Sequence, residues 1–268
     1  MRRATGVRVD AERLTLRTGE GQVYTGVDLS ARPGTLTALR ADAGEGRTAL
    51  LLTLAGRMRP TSGSLTVDGH ALPAKARQVR RISALGLSEG VNDLDERLRV
   101  REQLNERLLL RLRTATRPLR ASALLAAGLD GIDPRRLVRD LSTAERRRLG
   151  IALALLDEPR LLLVDDVDAG LDPEHQAALW GTLADLADSG LTVIAACADT
   201  SHAPDPTATV PLHRDAETAE ESRPRRRRGA RRAKGRAAAK GTRAAGGRAR
   251  LSELLRTDRS GGEGKGKP

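Results

Sequence analysis

The segment LSTAERRRLG at residues 141–150, followed by LLLVDDVDAGLD at residues 161–172, decides the fold. It begins with a polar turn that opens a helix rich in arginine. Ser142 is a preferred N-cap residue, and Glu145 three positions later completes the pattern of a capping box. A short apolar strand then ends at two adjacent carboxylates, and a Gly-Leu-Asp turn follows. This order of helix, strand, carboxylate pair and turn favours an α/β domain.

Two continuous apolar runs, 161–164 and 191–197, predict central strands of a parallel sheet that is buried on both faces. The stretch between them predicts a helix over 173–188, so the three elements form a strand–helix–strand unit. Upstream, short apolar segments bounded by turns predict further strands. These strands cover residues 7–17, 23–31, 35–39, 64–67 and 82–87.

Helices are predicted over 48–58 and across most of 97–139. In the first helix, three leucines face inward. They are Leu50, Leu51 and Leu54. In the second region, four leucines are predicted on one face. They are Leu104, Leu108, Leu109 and Leu112. Pro118 and Pro134 are expected to break this region into short helices.

The length of 268 residues is compatible with one large domain, or with one domain and a tail. Because Tyr24 and Trp180 are the only aromatic residues, the core must be built from Leu, Val, Ile and Ala, and we expect both aromatics to pack inside it. The single cysteine, Cys197, excludes an internal disulfide, favours a reducing compartment and is expected to behave as a small hydrophobe. The longest apolar run, 193–198, is far shorter than the roughly 20 residues that span a bilayer. No apolar stretch follows the N-terminal arginines, so we expect no signal peptide.

Positive charge is concentrated near the C-terminus. The formal net charge is +12, and residues 223–268 alone contain 17 lysines and arginines against three carboxylates. Apolar periodicity stops near His213, so residues 214–268 are predicted to be a disordered Arg/Lys-rich tail. Its basic run, 225–236, has three open interpretations: an anionic membrane surface, nucleic-acid phosphates or a solvated linker without a fixed partner. No aromatic residue lies in it, so base stacking is excluded and nucleic acid is the least favoured partner.

A glycine-containing loop, ADAGEGRT at residues 41–48, lies between a predicted strand and a predicted helix. A phosphate-binding loop needs glycines so that backbone N–H groups converge on an anion. It also needs a lysine that reaches the phosphates and a hydroxyl for Mg²⁺. Three positions match this pattern: Gly44, Gly46 and Thr48.

Four other positions of the loop depart from the pattern or oppose it. Ala41 stands in place of the first glycine, and Arg47 replaces the lysine with a wide planar fork. Asp42 and Glu45 add two carboxylates, and like charges weaken the binding of an anion. Taken alone, the loop is equally compatible with a glycine-rich turn that caps a helix.

Together, these segments resemble the ATP-binding cassette of ABC transporters, over about residues 7–199. The loop 41–48 lies between a strand and a helix, as the phosphate loop of the cassette does. Residues 57–69 resemble the turn and strand after the first helix of the cassette, and residues 100–104 resemble the start of its helical subdomain. Residues 141–150 and 164–172 resemble the signature, Walker B and D-loop regions. The resemblance implies a P-loop NTPase cassette with a mainly parallel core sheet, an antiparallel N-terminal β part and a helical subdomain. It places the nucleotide-binding domain at 1–213 and the helical subdomain at about 97–140.

The resemblance implies ATP and Mg²⁺ as ligands and assigns roles position by position. Asp165 and Thr48 would hold Mg²⁺, Asp166 would be the general base, and Asp172 would couple two subunits. Ser142 would contact the nucleotide of a partner subunit across a head-to-tail dimer. The remaining nucleotide-binding positions are Asp42, Ala43, Gly44, Glu45, Gly46, Arg47, Thr48 and Ala49.

Several family positions are altered in this chain. Asp166 replaces a glutamate, and its shorter reach costs on the order of tenfold or more if the base moves by about 1 Å. Thr143 and Ala144 replace the two glycines after Ser142, and Glu145 replaces a glutamine. No glutamine follows the strand 82–87. No histidine follows the strand 191–197, where Ala198 stands. No aromatic residue near Thr18 could stack on the adenine ring. His202 is expected to be a loop residue. Because hydrolysis depends on preorganised electrostatics around the phosphoryl group, we expect weak or absent turnover.

Plainer interpretations of the same residues stay open. Residues 141–149 are also explained as a capped helix start, and Asp165 with Asp166 as an acidic cluster at a strand end. Both are compatible with a cassette fold.

Three functions are therefore weighed. The first is the ATP-binding subunit of an ABC transporter, an ATPase by resemblance, paired with a second cassette and with separate membrane-spanning subunits. It would be cytoplasmic, at the inner face of the cell membrane. The second is a non-hydrolysing or regulatory partner in a heterodimeric ABC complex. The third is a nucleic-acid-associated cassette protein that acts through its basic tail.

Overall fold

The computed structural model describes residues 5–42 and 44–212. Ala43 and the tail predicted over 214–268, with its basic run, lie outside the described residues. Nine strands are described: β1 (Val9–Thr18), β2 (Gly21–Ala31), β3 (Leu36–Arg40), β4 (Ser62–Val67), β5 (His70–Leu72), β6 (Ser83–Leu85), β7 (Leu161–Val164), β8 (Thr192–Cys197) and β9 (Ala208–Pro211). Six α-helices are described: α1 (Arg47–Leu54), α2 (Ala76–Ile82), α3 (Val100–Leu110), α4 (Arg117–Ala126), α5 (Thr143–Leu155) and α6 (Pro173–Asp188). A 3₁₀ turn at Val138–Asp140 precedes α5.

The strands form two sheets. One is antiparallel, with the order β2-β1-β4-β5, and the other is parallel, with the order β6-β7-β8-β3-β9. Every residue of β7 and β8 is buried, as their continuous apolar sequences predict for strands covered on both faces. The α/β fold with a mainly parallel core sheet and an antiparallel N-terminal part is confirmed.

Helix α1 is shorter than predicted. It ends at Leu54 because Gly56 adopts a left-handed conformation (φ 66°), which is the usual way for a glycine to stop a helix. The three predicted inward leucines are fully buried. Three elements, β5, α2 and β9, were not predicted, because they are short and have little apolar patterning.

The leucine face predicted in the helical region is half wrong. Leu104 and Leu108 are fully buried, but Leu109 is 64% exposed and Leu112 is 96% exposed. Leu109 directly follows Leu108 and so points to another side of the helix, and Leu112 lies beyond the end of α3 with φ 53°. Pro118 lies in the first turn of α4, after the N-cap Thr116, a position that suits proline.

Both aromatic residues pack in the core, as predicted. Trp180 and Tyr24 are 0% and 1% exposed, and the Tyr24 hydroxyl donates to Thr53 Oγ1 at 2.8 Å. Burial raises the pKa of Tyr24 to about 12. Cys197 is buried within β8, and burial raises the pKa of its thiol to about 12, so it behaves as a small apolar residue. Within the described residues, every helix is too short or too polar to cross a bilayer.

The parallel sheet determines where functional side chains meet. Strands β3, β7 and β8 are neighbours and run in the same direction, so their carboxyl ends lie at one edge. The loop after β3, the carboxylates after β7 and the segment after β8 therefore converge there, where ligands of open α/β sheets usually bind.

Candidate functional site

The loop between β3 and α1 has the backbone of an anion-binding turn. Gly44 and Gly46 have φ values of 87° and 83°, which favour glycine. A Cβ atom on Gly46 would also lie 2.5 Å from the carbonyl oxygen of Val23, so only glycine fits there. Gly46 is the N-cap of α1 and supplies no side chain to its N–H groups, and the first turn contains no acidic residue. The N-terminus of α1 is thus open to an anion.

Glu45 opposes that opening. Its Oε2 accepts a hydrogen bond from the backbone N–H of Asp42 at 2.9 Å. The carboxylate therefore occupies one of the amides of the loop and adds negative charge beside the turn. An incoming phosphate would have to compete with it.

Arg47 does not extend freely from the loop. Its Nη2 donates to Asp166 Oδ1 at 2.6 Å and its Nη1 donates to the carbonyl oxygen of Ala41 at 3.2 Å. The Arg47 side chain is 11% exposed and that of Asp166 is 32% exposed. Desolvation, and then the charge of Asp165, raise the pKa of Asp166, while Arg47 and Arg147 oppose that rise. The two residues that resemblance assigns to phosphate binding and to the base are thus paired with each other.

Asp165 lies beneath the start of α1. It is 2% exposed, and its Oδ2 accepts hydrogen bonds from Thr48 Oγ1 at 2.6 Å and from Ser88 Oγ at 2.7 Å. Its Oδ1 is buried without a hydrogen-bond partner among the described residues. The predicted pair of Thr48 and Asp165 therefore meets in space, although 117 positions separate the two residues.

These oxygen atoms fit Mg²⁺. Hydroxyl and carboxylate oxygens are hard ligands, and the buried Oδ1 of Asp165 lacks any other partner. Among the described residues, no group of three or more His, Cys, Asp and Glu side chains could hold a metal ion. A magnesium ion here would therefore take most of its ligands from phosphate oxygens and water, as this ion commonly does.

Sequence analysis missed Ser88 and Arg147. Ser88 reaches Asp165 because β6 pairs with β7, and no signal in the sequence predicts that strand order. Arg147 in α5 donates from Nη2 to the carbonyl oxygen of Ala169 at 2.7 Å and so holds the loop after β7. Burial lowers the pKa of Arg147, while the charges of Asp166 and Asp165 raise it.

The segment after β8 is held by a carboxylate. Asp168 Oδ2 accepts hydrogen bonds from the backbone N–H groups of Ala198 and Asp199, at 2.8 and 2.9 Å. Ala198 occupies the position after β8 where the family resemblance calls for a histidine. His202 lies in the turn beyond β8, as expected, and contacts the Ser201 hydroxyl.

The start of α5 forms the predicted capping box. Ser142 Oγ accepts from the N–H of Glu145 at 3.2 Å, and the N–H of Ser142 donates to Glu145 Oε2 at 2.8 Å. Burial works against ionisation of Glu145, but hydrogen bonds from Arg136 and Ser142 prevail and lower its pKa. Ser142 is exposed and makes no hydrogen bond to the described part of the loop after β3. Its role across a dimer stays a prediction.

Asp172 is the N-cap of α6. It accepts hydrogen bonds from the backbone N–H of His175 at 2.9 Å and from the His175 ring at 2.7 Å. The backbone hydrogen bond, and then the ring, lower the pKa of Asp172. The side chain of Asp172 is 59% exposed, so a second molecule can reach it. The predicted coupling of subunits through Asp172 stays a prediction.

Comparison with known proteins finds similar sequences and similar folds. The family model described as ABC transporter matches residues 24–169, more than half of the chain. The chain is 34% identical over 193 residues to the daunorubicin resistance ATP-binding protein DrrA3 of Streptomyces coeruleorubidus, covering 71% of this chain and 59% of that protein. It is 35% identical over 179 residues to the Nod factor export ATP-binding protein I of Cupriavidus pinatubonensis, covering 66% and 54%. The chain thus spans a little over half the length of these two relatives.

Another relative is larger. Over 180 residues the chain is 32% identical to the ABC transporter ATP-binding/permease protein Rv1747 of Mycobacterium tuberculosis, of which the match covers 21%. Among solved structures, cbiO1 from Clostridium perfringens matches with a TM-score of 0.65 at 21% identity, over 80% of this chain and 91% of that one. The dimeric bacterial ABC transporter cassette MJ0796 matches with a TM-score of 0.64 at 20% identity, over 77% and 97%. These structures share the fold described above.

Proposed function

Since the chain belongs to the ABC transporter family of ATP-binding proteins, we propose that it binds ATP with Mg²⁺ at the edge formed by the loop after β3 and the carboxylates after β7, with weak or absent hydrolysis. The observation that carries this proposal is the hydrogen bond between Thr48 and Asp165, placed directly under an open helix N-terminus. The backbone amides around Gly44 and Gly46 would bind phosphate oxygens. Asp42, Ala43, Glu45 and Ala49 would line the nucleotide on either side.

The proposed metal site uses residues already in place. Thr48 Oγ1 and Asp165 would hold Mg²⁺, with Ser88 fixing the Asp165 carboxylate through its hydrogen bond. When bound, the ion would neutralise charge on the phosphates. Thr48 donates its hydroxyl proton to Asp165 and keeps its oxygen lone pairs for a metal, because a hydroxyl both donates and accepts.

Weak hydrolysis follows from how the charges are arranged. A phosphate has to compete with Asp166 for the charge of Arg47, and Asp166 can polarise a water molecule only when it is ionised. Burial and Asp165 already raise the pKa of Asp166, and loss of Arg47 removes one of the charges that oppose the rise. Each of these effects disfavours the ionised base.

The proposed assembly is a head-to-tail pair of cassettes with separate membrane-spanning subunits, at the cytoplasmic face of the cell membrane. Ser142 and Asp172 are both exposed and so are accessible to a second cassette. The relatives are described as ATP-binding proteins of drug resistance and Nod factor export, which supports a transport role for this chain as well.

A second candidate function is the non-hydrolysing or regulatory half of a heterodimer. The Arg47–Asp166 ion pair favours it, because the pair keeps the phosphate-binding cation and the base engaged with each other. The Cβ atoms of Thr143 and Ala144 would also hinder the close approach of a nucleotide to the start of α5, which glycine would permit. The third candidate, action on nucleic acid, depends on the tail outside the described residues.

The test compares nucleotide binding with phosphate release. Binding of a fluorescent ATP analogue is titrated with and without Mg²⁺, and inorganic phosphate is measured in the same samples. We expect Mg²⁺-dependent binding that Asp165→Asn weakens by roughly tenfold or more, since loss of a metal ligand or its orienting partner commonly has that effect. Asp168→Asn is the matched control, because it alters a carboxylate of the same loop whose hydrogen bonds, among the described residues, come from backbone N–H groups.

The outcomes separate the candidates. Absence of binding by the wild-type chain, or equal binding by Asp165→Asn, would overturn the proposal. Phosphate release that disappears in Asp166→Asn would show an active ATPase. Binding without release would favour the non-hydrolysing partner.

A further inference from the structure

A cavity lies between the start of α3, the helix α4 and the segment 130–135. Its volume is ≈ 660 Å³. Pockets that hold small molecules commonly measure about 300–1,000 Å³. Every described residue that lines the cavity belongs to one of these three segments, so the cavity is separate from the loop after β3 and from the carboxylates after β7. We call it the α3–α4 cavity, and its size allows a ligand of its own.

The floor of the α3–α4 cavity is apolar. Leu104 of α3 and Leu124 of α4 line it and are 0% and 7% exposed, so both are fixed by the packing of the two helices. Ile132 lines it as a half-buried residue, and Leu125 as a leucine that is 63% exposed. An apolar ligand would remove the exposed leucine surface from water, which is favourable in proportion to the area covered.

Positive charge dominates the polar lining of the cavity. Four arginines line it against two aspartates: Arg101, Arg117, Arg120 and Arg135 against Asp130 and Asp133. Arg117 and Arg135 are exposed, and their side chains form no ion pair with any described residue. Arg101 reaches the carboxylate of Glu102 only at 3.8 Å. Three of the four guanidinium groups therefore lack a close carboxylate partner.

The two aspartates do not offset this charge. Asp133 Oδ1 accepts a hydrogen bond from the backbone N–H of Arg135 at 2.9 Å, and its charge also acts on Arg136, which lies outside the lining. With four arginines and two aspartates, the lining keeps an excess of positive charge. A ligand that carries negative charge would relieve the repulsion among these arginines.

Arg120 is already held in place for such a ligand. Its Nη1 donates to Asn105 Oδ1 at 2.8 Å and to the carbonyl oxygen of Ala115 at 2.9 Å. A guanidinium group has five N–H donors, and neither of these bonds uses Nη2. Because the side chain is ordered before a ligand arrives, binding would cost less conformational entropy than at a free arginine.

We propose that the α3–α4 cavity binds an amphipathic anion, a molecule with one carboxylate or phosphate head group and an apolar body. The guanidinium groups of the lining bind the head group, and the apolar body lies on Leu104, Leu124 and Leu125. Carboxylates and phosphates both match the planar guanidinium fork through two parallel, charge-assisted hydrogen bonds, so the two head groups share one chemistry. This site is additional to the proposed nucleotide site and does not depend on it.

The test titrates the full chain with decyl phosphate below its micelle concentration, by isothermal titration calorimetry. Inorganic phosphate and decyltrimethylammonium are titrated in parallel, because they lack the apolar body and the negative charge, respectively. We expect decyl phosphate to bind most tightly of the three. Arg117→Ala with Arg135→Ala should weaken its binding roughly tenfold, in line with the loss of charge-assisted hydrogen bonds.

Two further variants separate the charged contact from the apolar one. Ala121 is exposed on α4 and lines the cavity, so Ala121→Phe should fill it and weaken decyl phosphate while leaving the arginines in place. Arg59→Ala with Arg81→Ala is the matched control, because it removes two exposed arginines that do not line the cavity. The basic residues 223–268 are present in every variant, so their attraction for anions cancels. Equal weakening by the two arginine pairs, or no weakening by Ala121→Phe, would overturn the proposal.

Sedimentation with vesicles identifies the source of the head group. If Arg117→Ala with Arg135→Ala also loses binding to phosphatidylglycerol vesicles but not to phosphatidylcholine, the anion is a membrane lipid. If only decyl phosphate binding is lost, it is a free molecule. Displacement of decyl phosphate by Mg²⁺-ATP would place the amphiphile at the nucleotide site, and the proposal would be wrong. A wild-type chain that binds decyl phosphate but no nucleotide would count against the proposed function alone.

Discussion

The phosphate-loop edge and the arginines near the end of α3 hold their charges in opposite ways. We refer to the latter, Arg57, Arg80, Arg107 and Arg111, as the arginine cluster. At the edge, Arg47 is bonded to Asp166, and Glu45 accepts from the backbone of its own loop. In the cluster, Arg107 and Arg111 share Asp157, whereas Arg57 and Arg80 form no ion pair among the described residues. An anion that enters the edge must therefore displace carboxylates of the protein, whereas an anion that reaches the cluster meets unpaired guanidinium groups.

This difference shows why the number of arginines in a region is a poor guide to anion binding. What matters is whether their charge is already paired with a carboxylate of the protein. Arg47 is paired with Asp166 and also donates to the carbonyl oxygen of Ala41. Arg57 and Arg80 keep their charges unpaired among the described residues.

The largest effect is expected from Asp157→Ala. This change leaves Arg107 and Arg111 unpaired beside Arg57, and we expect a loss of about 3 kcal/mol in the free energy of unfolding. That value is the low end for breaking a buried ion pair, since the two arginines are 31% and 39% exposed. Urea unfolding followed by circular dichroism measures the loss. Glu158→Ala is the control, because among the described residues its 66% exposed carboxylate pairs with Arg113 alone. Similar losses in the two variants would show that Asp157 does not balance the cluster.

A smaller effect, on affinity, is expected from Arg47→Lys. A lysine is a compact cation without the planar fork that bridges Asp166 and Ala41, so it should exchange those contacts for phosphate more readily. We expect Mg²⁺-ATP to bind roughly tenfold more tightly, a change of about 1.4 kcal/mol. The fluorescent ATP titration measures it, with Arg40→Lys as a control at an exposed position of β3. Unchanged or weaker binding would show that the ion pair does not limit anion entry.

Glu45→Gln should have a more modest effect on the same titration. The change removes one negative charge and weakens the bond that occupies the N–H of Asp42, so we expect affinity to rise by roughly threefold, in line with a partly screened charge contact. Asp42→Asn removes a charge from the same loop without freeing an amide. If both variants tighten binding equally, charge alone matters, and if only Glu45→Gln does, the freed amide is the cause.

Whether a feature could be predicted from the sequence depends on how close in the chain the interacting residues are. The strands β7 and β8 and the helix α6 have strong local patterns, and all three were predicted within one residue of their ends. The capping box of Ser142 and Glu145 is equally local and is confirmed. By contrast, β9 is a short strand with exposed residues, so its sequence carries no apolar signal.

The same distinction between local and distant interactions applies to the residues of the site. The pairing of Thr48 with Asp165 could be expected, because a loop and a strand end with recognisable sequences converge at one sheet edge. Ser88 could not be expected, since its role depends on β6 lying beside β7. The ion pair of Arg47 with Asp166 could not be predicted either. Sequence identified both residues as altered, but only geometry shows that one alteration engages the other.

The smallest expected effect is a pH-dependent change in stability. It tests whether burial or the bond to Arg47 dominates at Asp166. Desolvation, together with the charge of Asp165, raises the pKa of Asp166 above its ordinary value of 3.8 in spite of Arg47. A carboxyl group with a raised pKa lowers stability at a pH above that ordinary value and has no such cost well below it. Asp166→Asn should therefore be slightly more stable than the wild-type chain near about pH 7, and the difference should shrink toward about pH 4.

Asp172→Asn should change the stability in the opposite direction under the same conditions. The hydrogen bonds from the backbone and ring of His175 lower the pKa of Asp172, so its removal should reduce stability near about pH 7 and matter less in acid. Urea midpoints measured across this pH range compare the three proteins. If Asp166→Asn proves less stable than the wild-type chain near about pH 7, the bond to Arg47 outweighs burial. The Arg47–Asp166 ion pair would then hold the edge closed more tightly than the raised pKa of Asp166 implies. The contrast with the arginine cluster would be sharper.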